Sequence, residues 1–256
     1  MFDLTHQTAV VTGASRGLGS YMALALARAG ADIVVTSRDS LKCRATEQRV
    51  KGLGRRAWSF SLDVRSRESI LELKDALASN RIEPSILINN AGCNIRKPFS
   101  EITWNDWNTV LETNLRGPFF VTQALAPDMI RRGYGRIVNI GSVTSVFGYA
   151  GLAPYCASRG GILQLTRSLA DEFGPYGVTA NVLAPGWFRT EQNKNLYENA
   201  EWVSYIVDRI PVKRPGQPTD LDGAVVFLSS RESEYVTGQL LLVDGGISTG
   251  ATRATV

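Results

Sequence analysis

Two hydroxyl-bearing side chains in this sequence, Ser142 and Tyr155, could act together as hydrogen-bond and proton donors. Ser142 follows a short apolar run, and Tyr155 lies a little further along, at the start of a helix-period stretch. Hydride transfer to a carbonyl needs a proton donor for the developing alkoxide and a second donor that polarises the oxygen. Tyr155 is therefore the candidate acid, and Ser142 is the candidate polarising donor.

A tyrosine that works near neutrality also needs a cation beside it, because a free phenol titrates near pH ~10. Arg159 follows Tyr155 by one helical turn, on the same face of the predicted helix. A unit charge at about 4.5 Å, with an effective dielectric near 20, is worth roughly 3.7 kcal/mol. Arginine can supply this charge, but it stays protonated at any working pH and cannot pass a proton on.

A second chemical feature is the glycine-rich segment Thr12-Gly13-Ala14-Ser15-Arg16-Gly17-Leu18-Gly19. Small residues at this position let the backbone approach a pyrophosphate, which the free N–H groups of a following helix stabilise. A glycine cluster alone would fit a plain turn as well, but here a strand-like run precedes it and a helical pattern follows. The candidate cofactor-binding residues in this segment are Gly13, Ser15, Arg16, Gly17, Leu18 and Gly19.

The residues at the end of the second predicted strand indicate which dinucleotide binds. An acidic residue there would accept a hydrogen bond from the ribose 2′-hydroxyl and repel a 2′-phosphate. The sequence instead has Ser37 and Arg38, and Arg38 with Arg16 can pair with a phosphate. Asp39 lies one residue further on and, with Ser40, fits a cap for the next helix. The sequence predicts NADP(H) as the cofactor and disfavours NAD.

Short apolar runs alternate with helix-period stretches from end to end, which is typical of a parallel sheet covered by helices on both faces. The predicted strands are Thr8–Thr12, Ile33–Ser37, Ala57–Leu62, Ile86–Ile88, Arg136–Ile140, Thr179–Leu183 and Leu240–Val243. The predicted helices are Gly17–Ala29, Leu41–Val50, Ser66–Leu77, Trp104–Ile130, Pro154–Phe173, Glu191–Ile210 and Thr219–Ser229.

Composition narrows the functional classes. The chain has 256 residues, 44% of them hydrophobic, so it can bury a sizeable core and is neither disordered nor fibrous. Its single histidine, His6, argues against a Ser-His-Asp hydrolase and against a metal site.

Three well-separated cysteines suggest reduced thiols and a cytoplasmic protein. A net charge of +4 comes from scattered basic residues, which favours solvated faces over nucleic-acid binding. Neither a membrane span nor a signal peptide is predicted.

Further motifs occur in a fixed order along nearly the whole chain. They are Asp63-Val64, Asn89-Asn90-Ala91-Gly92, Asn114, Ser142, Tyr155, Pro185-Gly186 with Thr190, and Val243-Asp244-Gly245-Gly246. With the glycine segment, this ordered set resembles the compact single-domain branch of the short-chain dehydrogenase/reductase family. The resemblance implies a Rossmann-type α/β fold, a doubly wound parallel β-sheet of about seven strands, forming one NAD(P)-binding domain over residues 1–256.

The resemblance also implies roles for individual residues. Asp63 should hold the adenine edge, Asn90 should line the ribose region, and Thr190 should hold the nicotinamide carboxamide. The other residues assigned to the cofactor are Ser37, Arg38, Val64, Ala91, Gly92, Tyr155, Arg159, Pro185, Gly186 and Phe188. Taken singly, most of these residues have a structural alternative: Asp63 and Ser142 fit turn positions, Asn114 fits a packing position, and Tyr155 fits a half-buried helix position.

One position departs from the family pattern. The family has a lysine where this chain has Arg159, and a proton relay through that lysine and the asparagine corresponding to Asn114 is thought to reload the tyrosine. Two hypotheses follow for the catalytic set Asn114, Ser142, Tyr155 and Arg159. In the first, Arg159 keeps only the electrostatic part of the role in a slower or more pH-dependent enzyme. In the second, the chain is a nucleotide-binding protein with impaired catalysis.

Two long loops should set substrate specificity, because they follow strand ends that open onto the crevice of such sheets. The candidate substrate residues are Asn94, Arg96, Ser142, Tyr155, Trp187 and Gln192, with a lid near residues 187–212. Arg96 could clamp a carboxylate while Asn94 or Gln192 meets hydroxyls, although Arg96 and Lys97 would equally well face solvent.

The loop sequences resemble those of gluconate 5-dehydrogenases and related sugar-acid or polyol oxidoreductases, so the expected partner is a small molecule. The 3-oxoacyl-carrier-protein reductases are the rival, since the stretch 123–180 resembles them too. In those reductases, the basic residues that bind the carrier lie near the positions of Gly133 and Tyr176 in this chain. Neither residue is basic, which counts against this alternative.

The family resemblance also predicts a homo-oligomer, a tetramer or dimer, and the apolar residues Leu111, Leu115, Phe119 and Phe120 permit one. The segment 249–256 is expected to fray or to lie over a neighbour.

Overall fold

The computed structural model describes residues 1–249, apart from the side chains of Glu191 and Gln192. Its centre is a seven-stranded sheet in which each neighbouring pair of strands runs parallel. The strands are β1 Thr8–Val11, β2 Asp32–Ser37, β3 Ala57–Ser61, β4 Ile86–Asn89, β5 Gly135–Ile140, β6 Val178–Pro185 and β7 Leu240–Val243. Their spatial order is β3-β2-β1-β4-β5-β6-β7. The predicted doubly wound α/β fold is confirmed, with strand bounds shifted by at most two residues.

Helices cover both faces of this sheet. They are α1 Gly17–Arg28, α2 Arg44–Gly52, α3 Arg67–Ser79, α4 Trp104–Leu111, α5 Gly117–Arg132, α6 Ala153–Phe173, α7 Ala200–Arg209 and α8 Asp222–Ser229. One buried apolar cluster joins α1 and α8 to the sheet through Met22 and Val225. A second cluster joins α3, α5 and α6 to the opposite face through Leu73, Val121 and Leu169. The central strands are therefore buried on both sides, which is why they read as continuous apolar runs.

The single helix predicted over Trp104–Ile130 is wrong, because a π-helical turn at Glu112–Arg116 separates α4 from α5. Pro118 lies in the first turn of α5 and has no N–H to donate to the carbonyl of Asn114, one turn earlier. The helix accommodates this missing bond with a wider turn, a feature that often marks functional sites. Pro118 was the sequence signal for this interruption.

Three other predicted helices are also composite. Glu191–Ile210 is a 3₁₀ segment, Glu191–Glu198, followed by α7, whose first turn is capped by the side chain of Asn199. A 3₁₀ turn, Ser40–Cys43, precedes α2, and the Asp39 side chain accepts a 3.0 Å hydrogen bond from the backbone N–H of Leu41. The predicted capping role of Asp39 is confirmed. A third 3₁₀ turn, Pro218–Leu221, leads into α8.

The sheet order reverses between β1 and β4, and ligands of open α/β sheets bind at the carboxyl ends of the strands beside such a reversal. The glycine segment after β1 and the Asn90 segment after β4 therefore meet at this edge. The segments after β2, β3, β5 and β6 open onto the same edge. Among the described residues, no helix is both long and apolar enough to cross a membrane.

Candidate active site

The glycine segment forms a cradle that only small residues can build. Gly13 and Gly17 have positive φ angles of +64° and +59°, where side chains are disfavoured. A Cβ atom on Gly13 would lie 2.8 Å from the Cα atom of Ala91. Helix α1 begins at Gly17 without a side-chain cap, so the N–H groups of its first turn have no side-chain acceptor. This cradle fits a dinucleotide pyrophosphate.

Two polar side chains lock this cradle to the end of β4. The Thr12 hydroxyl accepts hydrogen bonds from the backbone N–H groups of Asn90 and Ala91, at 3.0 and 2.9 Å. The Asn90 amide donates to the carbonyls of Thr12 and Gly13, at 2.9 and 3.1 Å. Asn90 thus shapes the loop through its side chain. Thr12 was quoted in the sequence motif but was not assigned to the site, because its role depends on contacts with a distant segment.

The residues assigned to the adenosine end lie after β2 and β3. Arg38 is exposed, and its charge helps to lower the pKa of Asp63. Burial raises the pKa of the Asp63 carboxyl, but hydrogen bonds and charge from Arg65 outweigh this, and the pKa lies below its usual value. The Arg65 backbone N–H donates to Asp63 Oδ1 at 2.9 Å, so Asp63 has a turn role as well. Val64 packs against Gly117, where a Cβ would lie 2.8 Å from the Val64 Cβ.

Beside this cradle, the structure brings Tyr155 and Arg159 together at the start of α6. The Arg159 side chain is buried, with only 6% of the residue exposed. Its Cζ atom lies 4.8 Å from the centroid of the Tyr155 ring, and its Nη1 donates to the carbonyl of Ile140 at 2.7 Å. Its Nε is buried and has no hydrogen-bond partner among the described residues. Arg159 therefore places a positive charge against the ring of Tyr155 and keeps N–H donors that no described residue uses.

Ser142 lies in the segment between β5 and α6. It caps a short helical turn, Val143–Ser145, in which its hydroxyl accepts a hydrogen bond from the N–H of Thr144 at 3.2 Å. Ser142 itself is 8% exposed. The cap fixes the position of the hydroxyl oxygen and leaves its proton free to donate, as a polarising donor must.

Asn114 connects the π-helical turn to α6. Its Nδ2 donates to the carbonyl of Cys93 at 2.9 Å and to the hydroxyl of Ser158 at 3.1 Å, and its Oδ1 accepts from the N–H of Cys93 at 2.9 Å. Ser158 in turn donates to the carbonyl of Tyr155 at 2.7 Å. Sequence reasoning missed Ser158. A Cβ on Gly92 would lie 2.7 Å from Arg159 Nη2, so glycine leaves room for the guanidinium.

The nicotinamide end was assigned to residues after β6. Gly186 donates from its backbone N–H to the carbonyl of Val243 at 3.0 Å, which continues the sheet beyond Pro185. Phe188 is buried and pairs with Gly216. The hydroxyl of Thr190 donates to Asn193 Oδ1 at 3.0 Å. These contacts hold the backbone of the segment against the rest of the domain.

The loop after β4 lies against the loop that precedes α6. The backbone N–H of Lys97 donates to the carbonyl of Gly151 at 3.1 Å, and Lys97 Nζ pairs with Asp106 at 2.6 Å. Arg96 is exposed and forms no ion pair with a described residue; its Cζ lies 5.2 Å from the centroid of the Tyr149 ring. Asn94 is exposed as well. Lys97 is therefore structural, whereas the charge of Arg96 is available to a ligand.

An aromatic cluster, defined as Tyr149, Trp187, Tyr197 and Trp202, lines the lid side. Trp187 lies 5.5 Å from Tyr149 and 5.4 Å from Trp202, and Tyr197 lies 5.1 Å from Trp202, between ring centroids. Burial raises the pKa of Tyr197 to about 12, although Arg189 opposes this shift. Trp187 Nε1, the Tyr197 hydroxyl and the Thr144 hydroxyl are buried and have no hydrogen-bond partner within the part of the chain that the structure describes. Such atoms can pair with hydroxyl groups of a bound molecule. The side chain of Gln192 lies outside the described part.

Comparison with known proteins identifies the family. A family model described as enoyl-(acyl carrier protein) reductase matches residues 13–248. The chain is 41% identical to gluconate 5-dehydrogenase of Gluconobacter oxydans, over 97% of each chain. The protein belongs to the short-chain dehydrogenase/reductase family. The resemblance stated from the sequence motifs is thus confirmed.

Two further similarities of this short-chain dehydrogenase/reductase bear on its activity. A crystal structure of a gluconate 5-dehydrogenase from Burkholderia cenocepacia, in complex with NADP and tartrate, has a TM-score of 0.94 and 38% identity, covering 98% of each chain. The 3-oxoacyl-[acyl-carrier-protein] reductase of Buchnera aphidicola is 35% identical, over 95% of this chain and 98% of that protein. Within residues 1–249, no group of His, Cys, Asp and Glu side chains is arranged as metal ligands.

Proposed function

We propose that this short-chain dehydrogenase/reductase uses NADP(H) to interconvert a secondary alcohol and a ketone on a sugar acid or polyol, such as gluconate and 5-ketogluconate. The observation that carries the proposal is the contact between the half-buried Tyr155 and the buried Arg159 beside the glycine cradle. Arg96, which forms no ion pair with a described residue, lies on the substrate side. The gluconate 5-dehydrogenase relatives support the substrate class.

The cofactor site is assigned from the chain's own features. The first turn of α1 would hold the pyrophosphate. Arg38 and Arg16 would pair with a 2′-phosphate. The Nε of Arg159 would donate a hydrogen bond to a ribose hydroxyl. Ser37 and Arg38 occupy the end of β2, where an acidic residue would repel a 2′-phosphate, and this favours the phosphorylated dinucleotide. When bound, the nicotinamide supplies or accepts the hydride.

The residues of the chain handle the proton. Tyr155 donates it to the developing alkoxide in reduction and removes it from the alcohol in oxidation. Ser142 donates a hydrogen bond to the same oxygen and stabilises its negative charge. The permanent charge of Arg159 favours the phenolate that forms at Tyr155. Because a guanidinium does not release its proton, the Tyr155 phenolate must receive its proton from solvent or through a ribose hydroxyl rather than from residue 159.

The substrate side favours a hydroxylated acid. Arg96 carries a charge that no described acidic residue neutralises, and a carboxylate would pair with it. Trp187 Nε1 and the Thr144 hydroxyl are buried polar atoms that lack partners and suit substrate hydroxyl groups. A polyhydroxylated chain satisfies these atoms, whereas the acyl chain of a thioester would leave them unpaired. We assign Asn94 and Gln192 to the same substrate site as Arg96, where they would meet substrate hydroxyl groups.

The 3-oxoacyl-carrier-protein reductase activity is the second candidate, supported by the 35% identical relative. An acidic carrier needs a basic docking surface. At the two positions considered for it, Gly133 ends α5 in a left-handed conformation and Tyr176 is an exposed, uncharged residue. Neither residue contributes positive charge. A third candidate, a nucleotide-binding protein with little turnover, rests on Arg159 alone.

One set of assays separates the three candidates. Gluconate oxidation, 5-ketogluconate reduction and acetoacetyl-thioester reduction should be measured side by side with NADPH or NADP. We expect the sugar acid to be turned over with the highest kcat/KM. Preference for the thioester would establish the second candidate, and binding of NADPH without reduction of any carbonyl in a broad panel would establish the third.

In the same assays, Arg38→Asp should shift the ratio of kcat/KM with NADPH to kcat/KM with NADH towards NADH. An unchanged ratio would contradict the cofactor assignment.

We also propose a homo-oligomer, a tetramer or dimer, as the working form, and a cytoplasmic location. The described chain leaves an apolar groove of about 720 Å³ between α4, α5 and α6, lined by residues including Leu111, Leu115, Phe119 and Leu165. The free thiols Cys43, Cys93 and Cys156 support a reducing compartment.

A further inference from the structure

The charge of Arg96 lies on an exposed loop, and the proposed function requires it to pair with a substrate carboxylate. A long side chain on such a loop can adopt many rotamers, so pairing with a carboxylate costs conformational entropy. A neighbour that holds the guanidinium in place before the substrate arrives would remove part of this cost. Tyr149 is placed to do this.

Two contacts hold Arg96 against the segment that precedes α6. Its Cζ lies 5.2 Å from the centroid of the Tyr149 ring, which is within the range of a cation–π interaction. Its aliphatic stem lies beside Gly151, where a Cβ atom would be 3.5 Å from Arg96 Cγ. Gly151 also accepts the 3.1 Å hydrogen bond from the backbone N–H of Lys97. The backbone beside Arg96 and its guanidinium are thus both fixed to this segment.

The contact with Tyr149 leaves the guanidinium free to bind a ligand. Arg96 donates no hydrogen bond to a described residue and forms no ion pair with one. An aromatic ring attracts a cation through its π-electrons, without an N–H···O bond. The N–H donors of the guanidinium therefore remain available to a carboxylate, which they can bind in bidentate fashion. Tyr149 can position Arg96 without occupying its donors.

Tyr149 is itself held by the rest of the aromatic cluster. Its half-buried ring lies 5.5 Å from the ring of Trp187, at an interplanar angle of 66°. Trp187 in turn lies 5.4 Å from Trp202 of α7. The backbone carbonyl of Tyr149 accepts a 3.1 Å hydrogen bond from the N–H of Leu152. Because these edge-to-face contacts come from separate segments, the ring that faces Arg96 is a fixed support.

We propose that Tyr149 is a positioning residue that makes the enzyme prefer sugar acids to neutral polyols, by holding Arg96 in the orientation that pairs with a substrate carboxylate. The inference rests on the proposed function and narrows its substrate class. The carboxylate of gluconate is remote from the C5 hydroxyl that is oxidised. Loss of this pairing should therefore weaken the ground state and the transition state equally, which raises KM and leaves kcat unchanged.

Gluconate and glucitol test the proposal, because they differ only in that a carboxylate replaces a hydroxymethyl group. Initial rates of NADP reduction give kcat and KM for both substrates. The variants are Arg96→Gln, Tyr149→Leu, the double variant, and Tyr149→Phe, which keeps the ring. Trp58→Leu is the matched control, because the exposed Arg56 lies over the Trp58 ring at a similar distance, 5.4 Å, and Trp58 belongs to no assigned site.

We expect the wild type to oxidise gluconate with a higher kcat/KM than glucitol, and Arg96→Gln to lose most of this preference. Tyr149→Leu should raise the KM for gluconate by roughly two- to fivefold, as for an exposed cation–π pair, with kcat and the KM for glucitol unchanged. Tyr149→Phe and Trp58→Leu should keep the wild-type values. In the Arg96→Gln background, Tyr149→Leu should raise KM no further, because a residue that acts through another gives non-additive effects.

Three results would overturn the proposal and leave the proposed function standing. Tyr149→Leu could leave the KM for gluconate unchanged, raise the KM for glucitol by the same factor, or raise the KM for gluconate equally in the Arg96→Gln background. Failure of the proposed function has a different signature, since it is seen in the wild type. In that case the wild-type enzyme shows no preference for gluconate over glucitol, and the proposal falls with the substrate class.

Discussion

At the scale of single residues, Arg159 is the position with the largest expected chemical consequence, because the family resemblance implies a lysine there. The guanidinium is buried, bonds to the carbonyl of Ile140 and lies against the ring of Tyr155, the proposed acid. The side chain cannot release a proton, so residue 159 cannot return a proton to the Tyr155 phenolate. Arg159 can therefore stabilise negative charge on Tyr155 but cannot relay a proton to it.

We predict that Arg159→Lys raises kcat by about tenfold, less than the roughly 10²- to 10⁴-fold that a positioned general acid or base contributes, while the Kd for NADPH changes little. The reason is that lysine keeps the charge and restores a titratable group. Steady-state kinetics across pH, with NADPH titration, measures both effects. Arg159→Met, which removes the charge, serves as the comparison and should lose activity. A lower kcat in Arg159→Lys, with binding intact, would mean that this site requires the guanidinium itself.

At the scale of elements, the Lys97–Asp106 pair joins the substrate loop to the start of α4. Asp106 also completes a capping box with Thr103, accepting from its backbone N–H at 3.0 Å. The hydrogen bond from Lys97, aided by those from Thr103, lowers the pKa of the Asp106 carboxyl to about 2. The loop that carries Arg96 is positioned by this pair.

Because the folded-state pKa of Asp106 is below the unfolded value of 3.8, its contribution to stability is present above about pH 4 and is lost as the pH falls towards about 2. We predict that Asp106→Asn lowers the free energy of unfolding at pH 6, and that its difference from wild type shrinks between pH 4 and pH 2. Urea unfolding at several pH values measures this difference. Glu101→Gln, at a neighbouring exposed carboxylate, is the control. A difference that is constant with pH would contradict the assignment.

At the scale of the whole molecule, the groove between α4, α5 and α6 is the surface through which we propose that copies of the chain associate. Phe119 is 41% exposed there and packs edge-on against Phe120, with 5.0 Å between ring centroids. Exposed apolar patches of this kind mark association sites in proteins. Gly161, where a Cβ would lie 2.8 Å from Leu115 Cδ2, keeps the groove floor close-packed.

We predict that Phe119→Glu reduces the assembly to smaller species, because the carboxylate would have to be buried on association. Sedimentation equilibrium measures the change in mass. Tyr235→Glu is the matched control, since Tyr235 is fully exposed outside the groove and should leave the mass unchanged. If Phe119→Glu has the same mass as wild type, the groove is not the interface.

Much of the fold and part of the candidate site could be predicted from the sequence alone. The strand order along the chain, the glycine segment and the Tyr155–Arg159 pair follow from local patterns. Apolar runs identify buried strands, and a spacing of one helical turn brings two side chains to the same face. These features depend on neighbours that are close in sequence, so the sequence carries them directly.

Other features required the packed structure. The partners of Thr12, the partners of Asn114 and the cavity that Arg49, Arg189 and Lys194 line join segments that are far apart in the chain. Arg49 lies in a helix with no motif, and nothing near it in sequence indicates that Arg189 and Lys194 face it. Such contacts arise when helices and loops pack onto a common sheet, and their geometry is set by the shapes of whole elements rather than by local residue patterns.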